Sequence, residues 1–249
     1  LKETYAAVRL RDEKNLIQVM KDVFAYTGHP FVILIDEWDC LFREYKQNVD
    51  AQKAYLDFLR AWLKDKAYVE LAYMTGILPV KKYGSHSALN MFTEYSRTNP
   101  REMAEYFGFT EEEVKTMLAY YDLSAELPEV KQWYDGYLFN RIEIYNPWSI
   151  LKYVNDRKDH VTEFALPYWS NTSSNSIIRE MVGEADEEAK EDLETLINGG
   201  TIEKRVHEDI TYGDIHQSQD NLWNFLFFTG YLKKINERKD AAGENLYLT

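Results

Sequence analysis

The stretch Phe31-Val32-Ile33-Leu34-Ile35-Asp36-Glu37 decides the fold expected for this chain. Its five apolar residues are too few for a helix and do not alternate with polar ones, which is typical of a strand buried on both faces of a parallel sheet. The strand ends in two adjacent carboxylates, Asp36 and Glu37, and Asp39 follows. Because parallel α/β sheets bind ligands beyond the carboxyl ends of their strands, this acidic end is the first candidate for a functional site.

The segments on either side of this strand predict an α/β layered domain. Residues 16–24 carry one buried helical stripe, with Asp12 as the expected N-cap and Gly28 as the stop signal. A second amphipathic helix covers 55–63, and the apolar run at 69–74 predicts another strand. Helix, strand, helix and strand in this order favour a parallel sheet with flanking helices.

Two neighbouring acids at the end of a buried strand are also the Walker B arrangement of P-loop nucleotide hydrolases. Under this interpretation Asp36 holds Mg²⁺, usually through water, and the ion neutralises charge on the phosphates of ATP. Glu37 orients or deprotonates the attacking water, and Asp39 could support the site. The alternative is that Asp36 and Glu37 only cap the following helix, and the pattern alone leaves both interpretations open.

The second predicted strand ends in Thr75-Gly76, which adds a hydroxyl at the same edge of the sheet. In many P-loop ATPases the strand beside Walker B ends in a polar residue that senses the γ-phosphate, so Thr75 is a second catalytic candidate beside Glu37. Lys81, a few residues further on, is a candidate for binding the phosphates. The alternatives are a Thr-Gly turn without a ligand and a solvated lysine.

The phosphate-binding loop of such enzymes, G-x-x-x-x-G-K-[ST], does not occur in the 249 residues. Its backbone amides and lysine would supply most of the direct phosphate ligands. Either the chain is an excerpt that lacks an N-terminal strand and loop, or the site is inactive. The start at Leu1 rather than Met favours the excerpt.

Composition excludes several other classes of protein. With 29 Lys+Arg against 42 Asp+Glu, the net charge of −13 argues against a surface built mainly for nucleic acid. The single cysteine, Cys40, excludes a disulfide framework and a cysteine-rich zinc site, and the five histidines show no metal-binding spacing. Apolar runs stay well short of the roughly 18 residues of a membrane span. We expect a soluble cytoplasmic protein without a membrane partner.

After Asn99 the pattern changes to that of a mainly helical region. Thr110 and Glu113 predict a capping box, 184–198 an acidic helix and 221–228 a short buried one. Aromatic residues at 133–137 indicate a turn, and they are expected to pack rather than to stack on bases. Two strands at 231–235 and 245–249 predict a terminal hairpin. We therefore expect a partial P-loop ATPase α/β domain over 1–99, with the Walker B and sensor strands, and a helical domain over 100–249.

Taken together, the motifs resemble the bacterial AAA-ATPase-like family. The matching stretches, which follow the family's order over nearly the whole chain, are residues 32–39, 74–82, 87–90, 106–114, 133–137, 145–150, 168–173 and 230–232. The resemblance implies a P-loop ATPase module that uses Mg²⁺ and ATP, followed by a helical region. It also implies a Walker A loop with an Arg-Arg-Phe-Gly-Lys-Ser-like core before this part, and often a PD-(D/E)XK nuclease domain after it. Where the family often has Tyr, this chain has Trp38.

Two functions of different classes follow from the sequence. The first is the central part of an ATPase in which hydrolysis drives a conformational change and regulates an attached nuclease domain. The second is a degenerate, non-hydrolysing module that binds protein and in which the acidic pair is structural. A nucleic-acid-binding domain is a third hypothesis, which the net charge of −13 disfavours.

Overall fold

The computed structural model describes residues 1, 3–45, 47–78, 89–169, 176–207, 210–212, 218–239 and 245–248. The chain divides into two compact units. The first comprises Leu1–Thr93 together with Thr211–Gly213, and the second comprises Glu94–Ile210 and Asp214–Thr249. The division along the chain falls six residues before the predicted boundary at 99, and the short return segment at 211–213 has no counterpart in the sequence-based division.

The first unit begins with helix α1 (Leu16–Thr27), which ends at Gly28 in the left-handed conformation, as predicted. Its N-cap is Asn15, whose side chain accepts a hydrogen bond from a backbone N–H of the first turn. The prediction of Asp12 as N-cap was wrong. The Asp12 carboxylate instead accepts a hydrogen bond from the backbone N–H of Lys14 and so stabilises the turn ahead of the helix.

Strands β1 (Phe31–Ile35) and β2 (Val69–Met74) form a parallel two-stranded sheet. Between them run a short helix α2 (Cys40–Glu44) and the longer α3 (Val49–Leu63). The α/β character and the parallel pairing predicted for this part are therefore confirmed. Ile35 pairs with Met74, so the carboxyl ends of both strands lie side by side.

The prediction that β1 is buried on both faces was wrong. Ile33 is buried, but Val32 and Leu34 are 61% and 73% exposed, and their partners across the sheet, Leu71 and Tyr73, are also exposed. Side chains alternate between the two faces of a strand, so one face lies in the core and the other carries these four side chains. A continuous apolar run does not distinguish a strand covered on one face from a strand covered on two.

The second unit contains more β structure than the sequence predicts. Strands β3 (Phe109–Thr110), β4 (Asp135–Phe139) and β5 (Ile142–Tyr145) form an antiparallel sheet in the order β3-β5-β4. Helices still account for more of the region after residue 99 than strands do, and the antiparallel sheet is an addition that the sequence did not predict. The aromatic turn predicted at 133–137 is instead the end of a helix at Tyr134 followed directly by β4.

Six α-helices lie in the described part of the second unit; the first two contact this sheet, and the third packs on the second. They are α4 (Glu111–Tyr120), α5 (Leu127–Tyr134), α6 (Pro147–Lys158), α7 (Ser176–Gly183), α8 (Glu187–Ile197) and α9 (Gln219–Phe228). The predicted capping box of Thr110 and Glu113 is present at the start of α4. Tyr134, Tyr145 and Tyr153 are core residues, whereas Trp133 and Trp148 remain half exposed.

The predicted terminal hairpin is present, in a larger sheet. Its strands are β7 (Asn236–Lys239) and β8 (Asn245–Leu248), and a third strand, β6 (Glu203–Arg205), pairs with β8 on the other side. The prediction of a strand at 231–235 was wrong, because β7 begins at Asn236, just after the predicted strand ends. None of the helices in the described ranges is long and apolar enough to cross a lipid bilayer.

Candidate functional site

The candidate site lies where β1 and β2 end together in the first unit. The backbone N–H of Thr75 donates to the carbonyl oxygen of Ile35 at 2.9 Å, and the N–H of Trp38 donates to the carbonyl oxygen of Thr75 at 2.9 Å. These two bonds extend the pairing of the strands past their ends. They fix the residues that follow β1 against the residue that follows β2.

Asp36 and Thr75 are in direct contact at this edge. The Thr75 hydroxyl donates a hydrogen bond to Oδ1 of Asp36, and the same Oγ1 accepts one from the backbone N–H of Glu37 at 3.1 Å. The structure therefore brings three of the four predicted site residues together. The fourth, Lys81, lies outside the described residues.

Glu37 has an unusual backbone conformation and a charged partner. Its φ of 50° is in the left-handed region, which non-glycine residues seldom adopt and which costs about 1–2 kcal/mol. Its exposed carboxylate forms an ion pair with Nη2 of Arg43 at 2.6 Å. Burial alone would lower the pKa of Arg43, but the hydrogen bond to Glu37 and the charge of Asp39 outweigh it, so the pKa of the guanidinium is raised.

Asp39 is fully buried beneath this edge. Its Oδ2 accepts hydrogen bonds from the backbone N–H of Ile77 at 2.9 Å, from that of Leu78 at 3.4 Å and from the Tyr212 hydroxyl at 2.9 Å. Sequence reasoning named Asp39 only as a supporting residue and missed both Arg43 and Tyr212. Arg43 stands four positions after Asp39, a spacing that could have drawn attention to it. Tyr212 is 173 residues away, and no local pattern points to it.

Gly76 follows Thr75 because no larger residue fits there. A Cβ atom at this position would lie 2.4 Å from Nε1 and 2.5 Å from Cδ1 of the Trp38 indole, and 3.2 Å from Cγ of Asp39. The Trp38 ring is itself buried. The Thr75-Gly76 pair therefore reflects a close approach of the backbone to a fixed indole ring.

The chemistry of this edge suits a hard cation shared with a phosphate. Asp36, Glu37 and Thr75 offer only oxygen atoms, which are the ligands that Mg²⁺ prefers. Within the described ranges there is no group of three or more His, Cys, Asp and Glu side chains arranged to enclose a metal ion. Mg²⁺ is usually held by one or two carboxylates plus substrate phosphates rather than by an all-protein cage, so the residues present fit this ion.

The fold and the site define an α/β protein with an acidic edge at the carboxyl ends of paired parallel strands. Residues 2–85 match the sequence model of the AAA-ATPase-like family, described as predicted AAA-ATPase. The match covers about a third of the chain, and over these residues the expected resemblance to the family is confirmed.

The chain is also similar to part of a longer protein. A protein of Azotobacter chroococcum mcd 1, named "Uncharacterized protein in vnfD 5'region", is 25% identical over 171 residues, which cover 67% of this chain. The match spans 32% of that relative's own length. No solved structure matches the chain.

Proposed function

We propose that the first unit supplies the acidic edge of an ATP-hydrolysing site and that its strands are part of a P-loop NTPase sheet. The observation that carries the proposal is the Thr75 hydroxyl, which joins the Asp36 carboxylate to the backbone N–H of Glu37 at the shared end of two parallel strands. The match of residues 2–85 to a family described as predicted AAA-ATPase supports the same assignment.

Each residue of this edge has a distinct role in the proposal. Asp36 would hold Mg²⁺, and Mg²⁺ bound with ATP supplies neutralisation of the charge on the β- and γ-phosphates. Glu37 would orient or deprotonate the attacking water. Thr75, a hydroxyl donor at the end of the second strand, would sense the γ-phosphate, and Lys81 would contact the phosphates.

The phosphate cradle is the part that this sequence does not supply. The proposal requires a G-x-x-x-x-G-K-[ST] loop elsewhere in the intact protein, because backbone amides and a lysine provide most of the direct phosphate contacts. We further propose a cytoplasmic protein in which hydrolysis drives a conformational change that regulates a nuclease domain of the same polypeptide.

The test compares Glu37→Gln with Glu44→Gln in the full-length protein. Glu44 is also an exposed glutamate, it follows Arg43 at the end of α2, and it has no role in the proposed site. Loss of a general base costs roughly 10²- to 10⁴-fold in rate, so Glu37→Gln should lower ATP turnover by at least 100-fold while Mg²⁺-ATP still binds. Glu44→Gln should retain the wild-type rate. Equal turnover in all three proteins contradicts the role of Glu37.

A specific observation favours a second function, a non-hydrolysing module that binds protein. Both acids already have partners, since Asp36 accepts the Thr75 hydroxyl and Glu37 pairs with Arg43, which suits a structural role. Direct titration of the wild-type protein with Mg²⁺-ATP separates the two functions. Absence of binding in a protein that carries an intact phosphate loop would favour the second one.

A further inference from the structure

The buried carboxylate of Asp39 is the most constrained charged group of the first unit's acidic edge. Oδ2 accepts three hydrogen bonds, two from backbone N–H groups of the segment after β2 and one from the Tyr212 hydroxyl. Oδ1 is buried without a hydrogen bond, and Nε of Arg43 lies 3.9 Å away. A buried carboxylate is stable only when such donors compensate for lost water, so its position depends on each of them.

These bonds determine where the segment after β2 lies. Ile77 and Leu78 are two and three residues beyond Thr75, and Asp39 is three residues beyond Asp36. One carboxylate thus ties the chain that leaves β2 to the chain that leaves β1. This tie adds to the two backbone bonds that hold Thr75 at the strand ends, and a shift of Ile77 would move the backbone next to the hydrogen bonds of Thr75 with Asp36 and Glu37.

Tyr212 is the donor that comes from outside this local segment. It is buried, belongs to the first unit and stands between stretches of the chain that belong to the second unit. The other two donors to Oδ2 are part of the loop that is being held. Tyr212 is therefore the hydrogen-bond donor to Oδ2 that can hold the Asp39 carboxylate independently of the loop, while Arg43 lies beside Oδ1.

We propose that Asp39 and Tyr212 are positioning residues for the acidic edge: the Tyr212 hydroxyl holds the Asp39 carboxylate, which in turn fixes the Ile77–Leu78 backbone and places Thr75 against Asp36 and Glu37. The catalytic part of this inference rests on the function proposed above. The positional part does not, because it concerns hydrogen bonds within the chain.

The experiment compares Tyr212→Phe with Tyr153→Phe in the full-length protein. Both substitutions remove a buried tyrosine hydroxyl that donates to a carboxylate, since the Tyr153 hydroxyl lies 2.7 Å from Glu126 and 2.6 Å from Glu129 in the second unit. The readouts are kcat and KM for Mg²⁺-ATP and the hydrogen-exchange rates of the backbone amides of Ile77 and Leu78.

Tyr212→Phe should accelerate exchange at Ile77 and Leu78 and lower kcat roughly 10- to 100-fold, since small misplacements of catalytic groups have effects of this size. KM should change much less. Tyr153→Phe should leave kcat and the exchange rates of these two amides at their wild-type values, even if it lowers the melting temperature as much as Tyr212→Phe does. Asp39→Leu, which keeps much of the volume of the side chain but removes both acceptor oxygens, is the second variant and should give the same pattern as Tyr212→Phe.

Two results would overturn the inference. One is hydrogen exchange at Ile77 and Leu78 that is unchanged in Tyr212→Phe. The other is faster exchange at these amides in Tyr212→Phe together with a kcat equal to that of Tyr153→Phe. Failure of the proposed function has a different signature. In that case the wild-type protein has no turnover that depends on Glu37, and the exchange rates alone decide whether Tyr212 holds the loop.

Discussion

Arg43 places one guanidinium group between two carboxylates of very different exposure: Nη2 lies 2.6 Å from Oε2 of Glu37, and Nε lies 3.9 Å from Oδ1 of Asp39. The Glu37 side chain is 63% exposed, whereas that of Asp39 is fully buried. Water and salt screen the first contact but reach the second far less. The shorter contact should therefore contribute less to stability than the longer one.

The first prediction compares Arg43→Gln with Glu37→Gln in denaturant unfolding. Glu37→Gln should change the free energy of unfolding by less than about 1 kcal/mol, as exposed ion pairs do. Arg43→Gln should cost about 1–3 kcal/mol, because it removes the cation beside a buried carboxylate that lacks a hydrogen bond at Oδ1. Measured at low and high salt, the cost of Arg43→Gln should persist. Equal costs for the two variants would mean that Arg43 does not stabilise Asp39.

The second prediction concerns the close approach of Gly76 to Trp38. In Gly76→Ala the new methyl group would lie 2.4 Å from Nε1 of the indole, and a buried ring cannot move aside freely, so the cost should be about 1–3 kcal/mol. Gly183→Ala is the control, because a Cβ atom there meets nothing within 4 Å. The cost of Gly76→Ala should be smaller in a Trp38→Phe background. Thermal unfolding of the four variants measures both effects, and an equal cost in the two backgrounds would contradict the clash.

The sequence predicted the part of the site that follows from strand geometry. A short apolar run ending in acids implies a strand, and strands that run parallel end at one edge, so the sequence alone predicted Asp36 and Thr75 close together. Whether β1 is buried on one face or on both could not be predicted, since its own residues do not show how many layers pack on the sheet. The Tyr212 hydrogen bond was also unpredictable, because it joins positions 173 residues apart.

The second unit was harder to predict because its first sheet is built from very short strands. β3 has two residues, and β4 contains Gly136 and begins directly after α5. Neither shows the alternation over four or more residues that identifies a strand in a sequence. The start of α4 was better predicted, since Thr110 with Glu113 is a local signal that does not depend on tertiary contacts.

The third prediction concerns Arg97, which is buried in the second unit. Its two terminal nitrogens donate to the carbonyl oxygens of Phe227 and Leu232, and the guanidinium lies over the rings of Tyr137 and Phe227 at 4.6 and 4.3 Å. Burial lowers the pKa of Arg97 to about 10, so it stays protonated at neutral pH.

Arg97→Lys should destabilise the protein by about 1–3 kcal/mol, because a single ammonium group cannot reach both carbonyl oxygens in the same plane. Arg101→Lys, at an exposed position nearby, should change stability by less than about 0.5 kcal/mol. Urea unfolding followed by circular dichroism measures both. A cost for Arg97→Lys no greater than that for Arg101→Lys would show that the two carbonyl contacts do not stabilise the fold.

The last prediction concerns the pH dependence that Asp22 gives to the first unit. Its carboxylate accepts hydrogen bonds from Nε of Arg11 at 2.7 Å, from the backbone N–H of Arg11 at 2.8 Å and from the Gln18 side chain at 2.9 Å. Hydrogen bonds from the Arg11 side chain and backbone, supported by Gln18, lower the pKa of Asp22 from its usual 3.8 to about 2.

Because the folded state holds this carboxylate ionised, the unfolded state binds more protons between pH 4 and pH 2. The stabilisation is therefore complete above about pH 4 and is lost as the pH falls towards 2. The difference in unfolding free energy between the wild type and Asp22→Asn should be constant from pH 7 to 5 and shrink below pH 4. Arg11→Met, which removes the side-chain donor, should weaken the same pH dependence while Asp22 is intact. If the difference in unfolding free energy between the wild type and Asp22→Asn stayed constant down to pH 2, the Arg11 contact would not be its cause. A carboxylate whose pKa is lowered by that contact must lose its stabilising effect in this range.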